Sequence, residues 1–362
     1  MKKLLVMAAM TVAATNAFAG VKLVVRSDYV NTPNYDDNTG AEVAGTSVFT
    51  PAVARLYLTG MVGDAVIDSG WNLRAFTPEV SAGGTLSKTM TVDKFVDHLT
   101  IAKPMGDWTF TAGKLQVNVG GYEHGKTIMG DTYLTSLAGG GVGGDGQTGS
   151  VVTPENSSGV AAAYAINADH KLEFQVTNST NAQTIEAGAR STDKRHNMGL
   201  AYWGSFAEKM FQTYLSYTVG AGDTIAAGVT TGHEQTFLGA GFRIAPMENL
   251  NIDLEYLANS DKNATTGDKD ETNSTIVEAS YKINNWTPVL KYEMSNDKVA
   301  GNDNFKRNAF AVGVEYMPKA EDAFRYHIAY ASAKDDFDNA ALEDVTFNTI
   351  TVGFKYTGDI AK

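Results

Sequence analysis

The sequence contains no cysteine, which excludes a disulfide framework and a metal site with thiolate ligands. It also lacks an excess of basic residues, because 29 Lys and Arg stand against 41 Asp and Glu, a formal net charge of −12. That balance argues against a nucleic-acid partner, whose binding depends on neutralising phosphates. Beyond the N-terminal region, no apolar run approaches the roughly 20 residues of a membrane-spanning helix. Two classes remain: a water-soluble protein, or a transmembrane β-barrel in which apolar and polar residues alternate.

The first 19 residues have the pattern of a secretory signal peptide. Lys2 and Lys3 precede an apolar stretch over Leu4–Val12, and Ala17–Ala19 reads A-x-A, a cleavage signal. The apolar stretch is too short for a transmembrane helix. We therefore expect an exported chain that starts near Gly20, in which 29 − 2 = 27 Lys and Arg face 41 Asp and Glu, a net charge of −14.

The rest of the chain alternates apolar and polar residues with a period of two. Near the C-terminus, Ile350, Val352 and Phe354 share one parity, and Thr351 and Gly353 share the other. This spacing predicts a strand with one apolar face. Other apolar rows with this spacing lie at 250, 252, 254 and 256; at 286, 290, 292 and 294; at 310, 312, 314 and 316; and at 324, 326, 328 and 330.

The length of these segments favours a membrane. Many are about 9 to 11 residues long, which is the length of a tilted strand that crosses a bilayer, whereas most strands are nearer 5 to 6 residues. Aromatic residues end the apolar rows, where amphipathic rings meet lipid headgroups. The alternative is a soluble β-sandwich or a lipocalin-like barrel whose apolar faces point inward.

The pattern predicts sixteen strands, an even number as a closed antiparallel barrel requires. They lie at 21–30, 52–62, 69–78, 93–103, 107–115, 157–166, 170–178, 195–203, 209–218, 234–244, 248–258, 273–283, 286–296, 306–316, 323–333 and 346–356. Short connections at 103–107, 167–170, 204–209, 245–249, 283–285 and 318–322 alternate with long polar ones such as 259–273. We predict an all-β fold: a transmembrane antiparallel β-barrel of about 16 strands, with short periplasmic turns and long extracellular loops. Residues 20–362 form a single domain around an aqueous channel.

Gly120–Thr127, GGYEHGKT, matches the phosphate-binding pattern G-x-x-x-x-G-K-[ST]. A nucleotide site of this kind needs a parallel strand before the glycines and a helix after them. The chain continues instead into a glycine-rich run, 138–149, with no strand–helix–strand alternation around it. The match is therefore interpreted as chance.

The segment Gly120–Thr127 also lies near the start of the longest connection, 116–155, which follows the fifth predicted strand. A loop of this length is uncommon unless it is functional or disordered. In a wide barrel, one long loop can fold into the lumen and narrow it, and glycines permit close packing against the wall. We predict that 116–155 is such a constriction loop; the alternative is a mobile external loop.

The segment Phe95–Glu123 resembles the strand–turn–strand that precedes the constriction loop in the outer-membrane porins of Gram-negative bacteria. In those proteins the second strand ends in G-[KR]-x, a position that Gly113 and Lys114 occupy here. The resemblance covers nearly the whole predicted mature chain, by pattern more than by identity. It implies a sixteen-stranded pore for small hydrophilic solutes and ions in the outer membrane, often a homotrimer, in contact with lipids and lipopolysaccharide. The C-terminus departs from the family, because TGDIAK follows Tyr356 where porins usually end on an aromatic residue.

Strand parity predicts which charged residues line the pore. Arg26, Arg55 and Arg74 alternate with lipid-facing residues on three consecutive strands, so all three face the lumen. Glu123 and Asp131, in the long loop, are the candidates for an opposing acidic side. A basic wall opposite an acidic loop creates a transverse field that selects solutes, an arrangement that the porin resemblance also implies. The alternative is that the three arginines line a solvated wall at unrelated heights.

These patterns predict a diffusion porin. The runners-up are a substrate-selective channel with a specific site at the constriction, and a plugged structural or adhesive barrel. None of the six histidines lies in a G-x-S-x-G or H-E-x-x-H context. We therefore expect no catalytic residue, no cofactor, no metal site and no enzymatic activity.

Overall fold

The computed structural model describes residues 18–36, 42–73, 79–80, 86–87, 95–123, 136–140, 149–154, 156–178, 196–226, 229–319, 324–338 and 344–361. Within these ranges, sixteen strands close into one antiparallel barrel. They are β1 (Phe18–Asp36), β2 (Glu42–Val62), β3 (Ala65–Asn72), β6 (Val96–Met105), β7 (Trp108–Gln116), β8 (Asn156–Ala165), β9 (His170–Asn178), β10 (His196–Phe206), β11 (Phe211–Ala226), β12 (Val229–Met247), β13 (Leu250–Asn263), β14 (Lys269–Tyr281), β15 (Trp286–Val299), β16 (Asn302–Tyr316), β17 (Phe324–Phe337) and β18 (Val345–Ala361). Two short strands, β4 (Glu79–Val80) and β5 (Leu86–Ser87), pair only with each other.

Neighbouring strands of the barrel follow one another in the chain, apart from β3, which pairs with β6. The first strand closes the ring against the last, with Val25 opposite Tyr356 and Val30 opposite Thr351. Each of the sixteen predicted segments overlaps one of these strands, so the predicted fold class is confirmed. The third was placed too late. The chain already turns at Gly63, with φ +63°, so β3 starts at Ala65 and spans Ala65–Asn72; the sequence pattern did not reveal this turn.

The apolar rows face outward. On β13, Leu254 and Tyr256 are about 40% exposed, whereas Asp253 and Glu255 between them are buried. The same contrast separates Leu290 from Lys291 on β15. Alternate residues of a strand point to opposite faces, so the period-two pattern becomes an apolar outer surface and a polar interior. The soluble alternative, with apolar faces inward, is wrong for this chain.

Short turns at 106–107, 207–210, 248–249 and 282–285 lie at one end of the barrel, where the sequence predicts them. At the other end, several strands are longer than predicted. The polar segment 259–273 is mostly strand, and its turn spans only 264–268. Polar residues face both sides here, with Thr236 bonded to Ser260 at 2.5 Å and His233 to Asp261 at 2.8 Å, so alternation gave no signal. Nowhere in the described ranges is there a helix long and apolar enough to cross a membrane.

Candidate functional site: the barrel lumen

A closed barrel of sixteen strands is wide enough to enclose an aqueous channel. The inward positions of this barrel are rich in charged and amide side chains, and many of them are buried. Two regions of the inner surface differ in character. The inner face of β12–β15 is named here the clamped wall, because the long connection is bound to it. The inner face of β17, β18, β1 and β2 is named the basic wall.

The described parts of the long connection, 117–123, 136–140 and 149–154, lie against inward-facing side chains. Val117, Val119 and Val151 pack with Phe237, an inward residue of β12. Ala138, which is fully buried, packs with Leu257 and Ile276. These apolar contacts remove parts of the connection from water and fix them to the clamped wall.

Two glycines of β12 make room for the backbone of the connection. A Cβ added to Gly239 would lie 2.7 Å from the amide nitrogen of Gly120, and a Cβ added to Gly241 would lie 3.0 Å from the ring of Tyr122. Gly120 itself has φ +85°, a conformation that side chains disfavour. Glycine on both sides of the contact therefore allows two backbones to meet inside the barrel.

Glu255 of β13 fixes the turn that begins the connection. Its carboxylate accepts hydrogen bonds from three consecutive amides, those of Gly121, Tyr122 at 2.9 Å and Glu123 at 2.7 Å. Consecutive N–H groups of this kind form a concave anion site. The first half of the phosphate-loop pattern thus does bind an anion, but the anion is a carboxylate of the barrel. Residues 124–127 of the pattern lie outside the described ranges.

Glu123 binds the next part of the connection to β15. Its carboxylate accepts bonds from Ser136, at 2.9 Å from the amide and 2.5 Å from Oγ, and from Lys291 Nζ at 2.6 Å. Glu123 and Lys291 are both almost fully buried. The sequence predicted Glu123 as an acidic group facing the pore. It lies against the inner wall, where its charge is compensated by Lys291 and is not presented to solvent.

A second group of polar residues binds the end of the connection. Asn259 Nδ2 donates to the carbonyls of Ala138 and Val151, both at 3.0 Å. Asp297 accepts from the amide and the hydroxyl of Ser150, both at 2.8 Å. Their inward positions follow from strand parity. Their partners lie more than 100 residues away in the chain, which no local pattern indicates.

The basic wall contains two of the three predicted arginines. Arg26 is paired with Val53 across β1 and β2, and Arg55 with Val24, so the two arginines are diagonal neighbours. Both have acidic partners: Arg26 Nε lies 2.8 Å from Asp28, and Arg55 Nε lies 2.8 Å from Asp97. Arg26 is buried and Arg55 is about 40% exposed. Arg74 and Asp131, the other predicted site residues, lie outside the described ranges.

The register adds two cations to this wall. Lys355 of β18 lies directly between Arg26 of β1 and Arg325 of β17, so the three side chains form one row across three strands. Neighbouring strands are about 4.8 Å apart, which brings three positive charges into a span of about 10 Å. Parity alone places Lys355 and Arg325 inward, but only strand pairing shows that they align with Arg26.

The row next to these cations contains a buried His–Asp pair. Asp28 of β1 and His327 of β17 bond at 2.9 Å across Gly353 of the intervening strand. A Cβ on Gly353 would lie 2.3 Å from the Asp28 carboxylate, so the glycine is what lets the pair form. Asp28 therefore contacts both Arg26 and His327.

No protein-family model matches the chain, and no curated protein matches it by sequence. Solved structures do match over nearly its whole length. The outer membrane channel DcaP of Acinetobacter baumannii shares 13% identity, with a TM-score of 0.64, over 93% of this chain and 96% of that one. An anion-selective porin from Comamonas acidovorans shares 13% identity, with a TM-score of 0.61, over 93% and 98%. A trimer form of OmpT, an outer membrane protein of Vibrio cholerae, shares 12% identity, with a TM-score of 0.55, over 93% and 99%. At these identities the comparisons show that the chain has the fold of outer-membrane channels.

Proposed function

We propose that this protein is a porin of the Gram-negative outer membrane, which lets small hydrophilic solutes and ions diffuse through the lumen of its barrel. The observation that carries the proposal is the inversion of polarity: apolar rows outside, charged rows inside, on a closed ring of sixteen strands. Contact with lipid explains the apolar rows on the outside, and contact with water explains the charged rows on the inside. The proposal assigns passive flow to the barrel and no chemical step.

The connection 116–155 sets the size limit for solutes in this proposal. Its described parts are bound to inward residues of β12–β15, so they occupy space that an empty barrel would leave to water. The buried Glu123–Lys291 ion pair and several backbone-to-side-chain bonds hold them there, which suits a fixed constriction better than a mobile lid.

The basic wall sets charge preference. Arg26, Lys355 and Arg325 are aligned, and Arg55 lies diagonal to Arg26. Arg55 and Arg325 are each more than 40% exposed, so their charges attract anions that pass within about a Debye length, ~8 Å at physiological salt. The Comamonas structure is of an anion-selective porin, which agrees with a preference for anions here.

Export through the signal peptide 1–19 and assembly as a homotrimer complete the proposal. The trimer form of the Vibrio protein supports the second. Outer-membrane lipids and lipopolysaccharide would then surround the trimer, as the apolar outer rows require.

Single-channel conductance in a planar lipid bilayer tests the proposal. Stepwise openings that scale with salt concentration are expected, and openings in groups of three would support a trimer. A folded barrel that conducts no ions would overturn the porin proposal and favour a plugged structural barrel. Conductance with saturable flux of one solute would favour the substrate-selective alternative.

A further inference from the structure

A small polar cavity lies on the inner face of the barrel, at the end with the short turns. It has a volume of about 200 Å³, and its wall is formed by side chains of five neighbouring strands and their turns. Six of them carry the argument: Asn251, Ser280, Lys282, Thr287, Glu315 and Arg325. In the proposed channel, a solute that has passed the constriction meets this cavity before it leaves the barrel at the end with the short turns.

The charges of the cavity are arranged by depth. Glu315 is nearly buried, with 10% of its side chain exposed, whereas Arg325 is 44% exposed. The contact between them, 3.5 Å from Nη1 to Oε2, is longer than the 2.7–2.9 Å of a strong charge-assisted bond. Arg325 has five N–H donors in a planar fork, so most of its hydrogen-bonding capacity is available to a ligand. Lys282, exposed at the turn after β14, adds a second cation.

The uncharged lining completes the chemistry. Ser280 and Thr287 contribute hydroxyls, and Asn251 contributes an amide, all on the inward parity of β14, β15 and β13. These groups donate and accept hydrogen bonds without a charge preference. A ligand that fits must therefore be small, carry an anionic group for Arg325, and carry hydroxyls for the rest of the lining.

We propose that this cavity is a solute-binding site for small hydroxylated monocarboxylates. The carboxylate binds the guanidinium of Arg325 in a two-bond fork and is also attracted by Lys282, while the hydroxyl bonds to Ser280 or Thr287. Glu315 repels a second carboxylate, so the site discriminates against dicarboxylates. The inference rests on the proposed channel function, since it places the site on the path of solutes.

Such a site speeds transport only if it binds weakly, because a solute must also leave. The volume agrees with that requirement: about 200 Å³ is below the roughly 300–1,000 Å³ of sites for drug-sized ligands, and a ligand of few atoms makes few contacts. The partial exposure of Arg325 also weakens its bond to a carboxylate.

The test compares conductance in potassium lactate and potassium propionate, which differ by a hydroxyl in place of one hydrogen on the carbon next to the carboxylate. We expect lactate conductance to level off with rising concentration, while propionate conductance stays proportional to salt activity. Replacing Arg325 (R325Q) removes the guanidinium that donates hydrogen bonds to the carboxylate, and should raise the half-saturating lactate concentration about tenfold. The matched control is Lys22→Gln, which removes one inward-facing charge from β1 outside the cavity and should leave that concentration unchanged.

Glu315→Gln tests the discrimination. In the wild type, malate should saturate at a higher concentration than lactate, and in E315Q the two values should converge.

Lactate conductance that never saturates, equal shifts in R325Q and K22Q, or a malate-to-lactate ratio unchanged by E315Q would each overturn the assignment. If the protein conducts neither salt, the channel function fails, and line broadening of lactate NMR signals by the detergent-solubilised protein then decides the site. Broadening that R325Q abolishes would uphold it, and absent broadening would overturn it.

Discussion

The clamped wall and the basic wall lie in the same barrel and use the same residue types differently. On the clamped wall, Lys291 and Glu123 are about 1% exposed and 2.6 Å apart, and their bond holds the long connection. On the basic wall, Arg55 pairs with Asp97 at 2.8 Å while about 40% of its side chain stays in contact with water. Burial makes the first pair a structural clamp, and exposure leaves the second able to act on passing ions.

The energetic difference follows from the surroundings. Removing one member of a buried pair leaves an uncompensated charge and costs about 3–5 kcal/mol. An exposed pair contributes roughly 0–1 kcal/mol and weakens with salt. Mutations of buried pairs should therefore change stability and pore size, whereas mutations of exposed pairs should change ion selectivity.

The largest effect is expected from deletion of Ala138–Gly149. This removes the Ala138 amide that bonds Ser274 and the Ala138 carbonyl that bonds Asn259, so the connection loses its middle attachment to the clamped wall. We expect a clear rise in single-channel conductance and passage of larger neutral sugars in liposome-swelling assays. Unchanged conductance would mean that the connection does not limit the pore.

The second-largest effect is expected from Lys291→Met. The change leaves Glu123 buried without the Lys291 cation and should lower the free energy of unfolding by about 3–5 kcal/mol. A urea titration measures this, with the folded fraction read on a gel on which the unheated, folded barrel and the heated, unfolded chain form separate bands. The matched control is Lys355→Met, the same change at an inward but only half-buried lysine of the basic wall. Adding Glu123→Gln to K291M should recover part of the loss. Equal destabilisation in K291M and K355M would contradict the distinction between the walls.

A smaller effect, on selectivity alone, is expected from Arg55→Gln, because about 40% of the Arg55 side chain is exposed, whereas Arg26 is buried beside Asp28. Loss of this exposed cation should shift the zero-current potential under a KCl gradient toward cation preference. The shift should shrink at 1 M salt, where the Debye length falls to about 3 Å. If the potential stays the same at low salt, then the basic wall does not select ions.

The smallest effect is expected from Asp64→Asn in the turn between β2 and β3. Asp64 pairs with Lys103 at 3.1 Å, but both side chains are more than half exposed. We expect unfolding midpoint, conductance and selectivity all to match the wild type within error. A measurable loss of stability would show that exposed pairs matter more in this barrel than their solvation implies.

Much of the barrel could be predicted because membrane strands are encoded locally. A row such as Leu250, Ile252, Leu254 and Tyr256 needs no distant partner to be recognised, since lipid on one side and water on the other impose period two. The prediction was weakest where both sides are wet, as in 259–273, or where a turn interrupts a short apolar run, as at Gly63. Ends of strands beyond the lipid therefore carry little alternation signal.

The candidate site was predictable only in part. Parity placed Arg26 and Arg55 inward, and loop length singled out 116–155. The contacts between the clamped wall and the long connection were not predicted. Glu255 accepts bonds from amides more than 130 residues away, and Lys291 binds Glu123, 168 residues away. The alignment of Arg26 with Lys355 joins the first strand to the last. No spacing within one strand contains that information.

The sequence by itself determined that this chain forms a barrel of sixteen strands with an apolar exterior, because each strand records its two solvents residue by residue. Tertiary structure decided what the interior does. Register brought Arg26, Lys355 and Arg325 into one row, and closure of the ring brought Asp28 to His327. Burial turned Glu123, in sequence one more acidic loop residue, into an anchor, because a charge withdrawn from water is stable only beside its counter-charge.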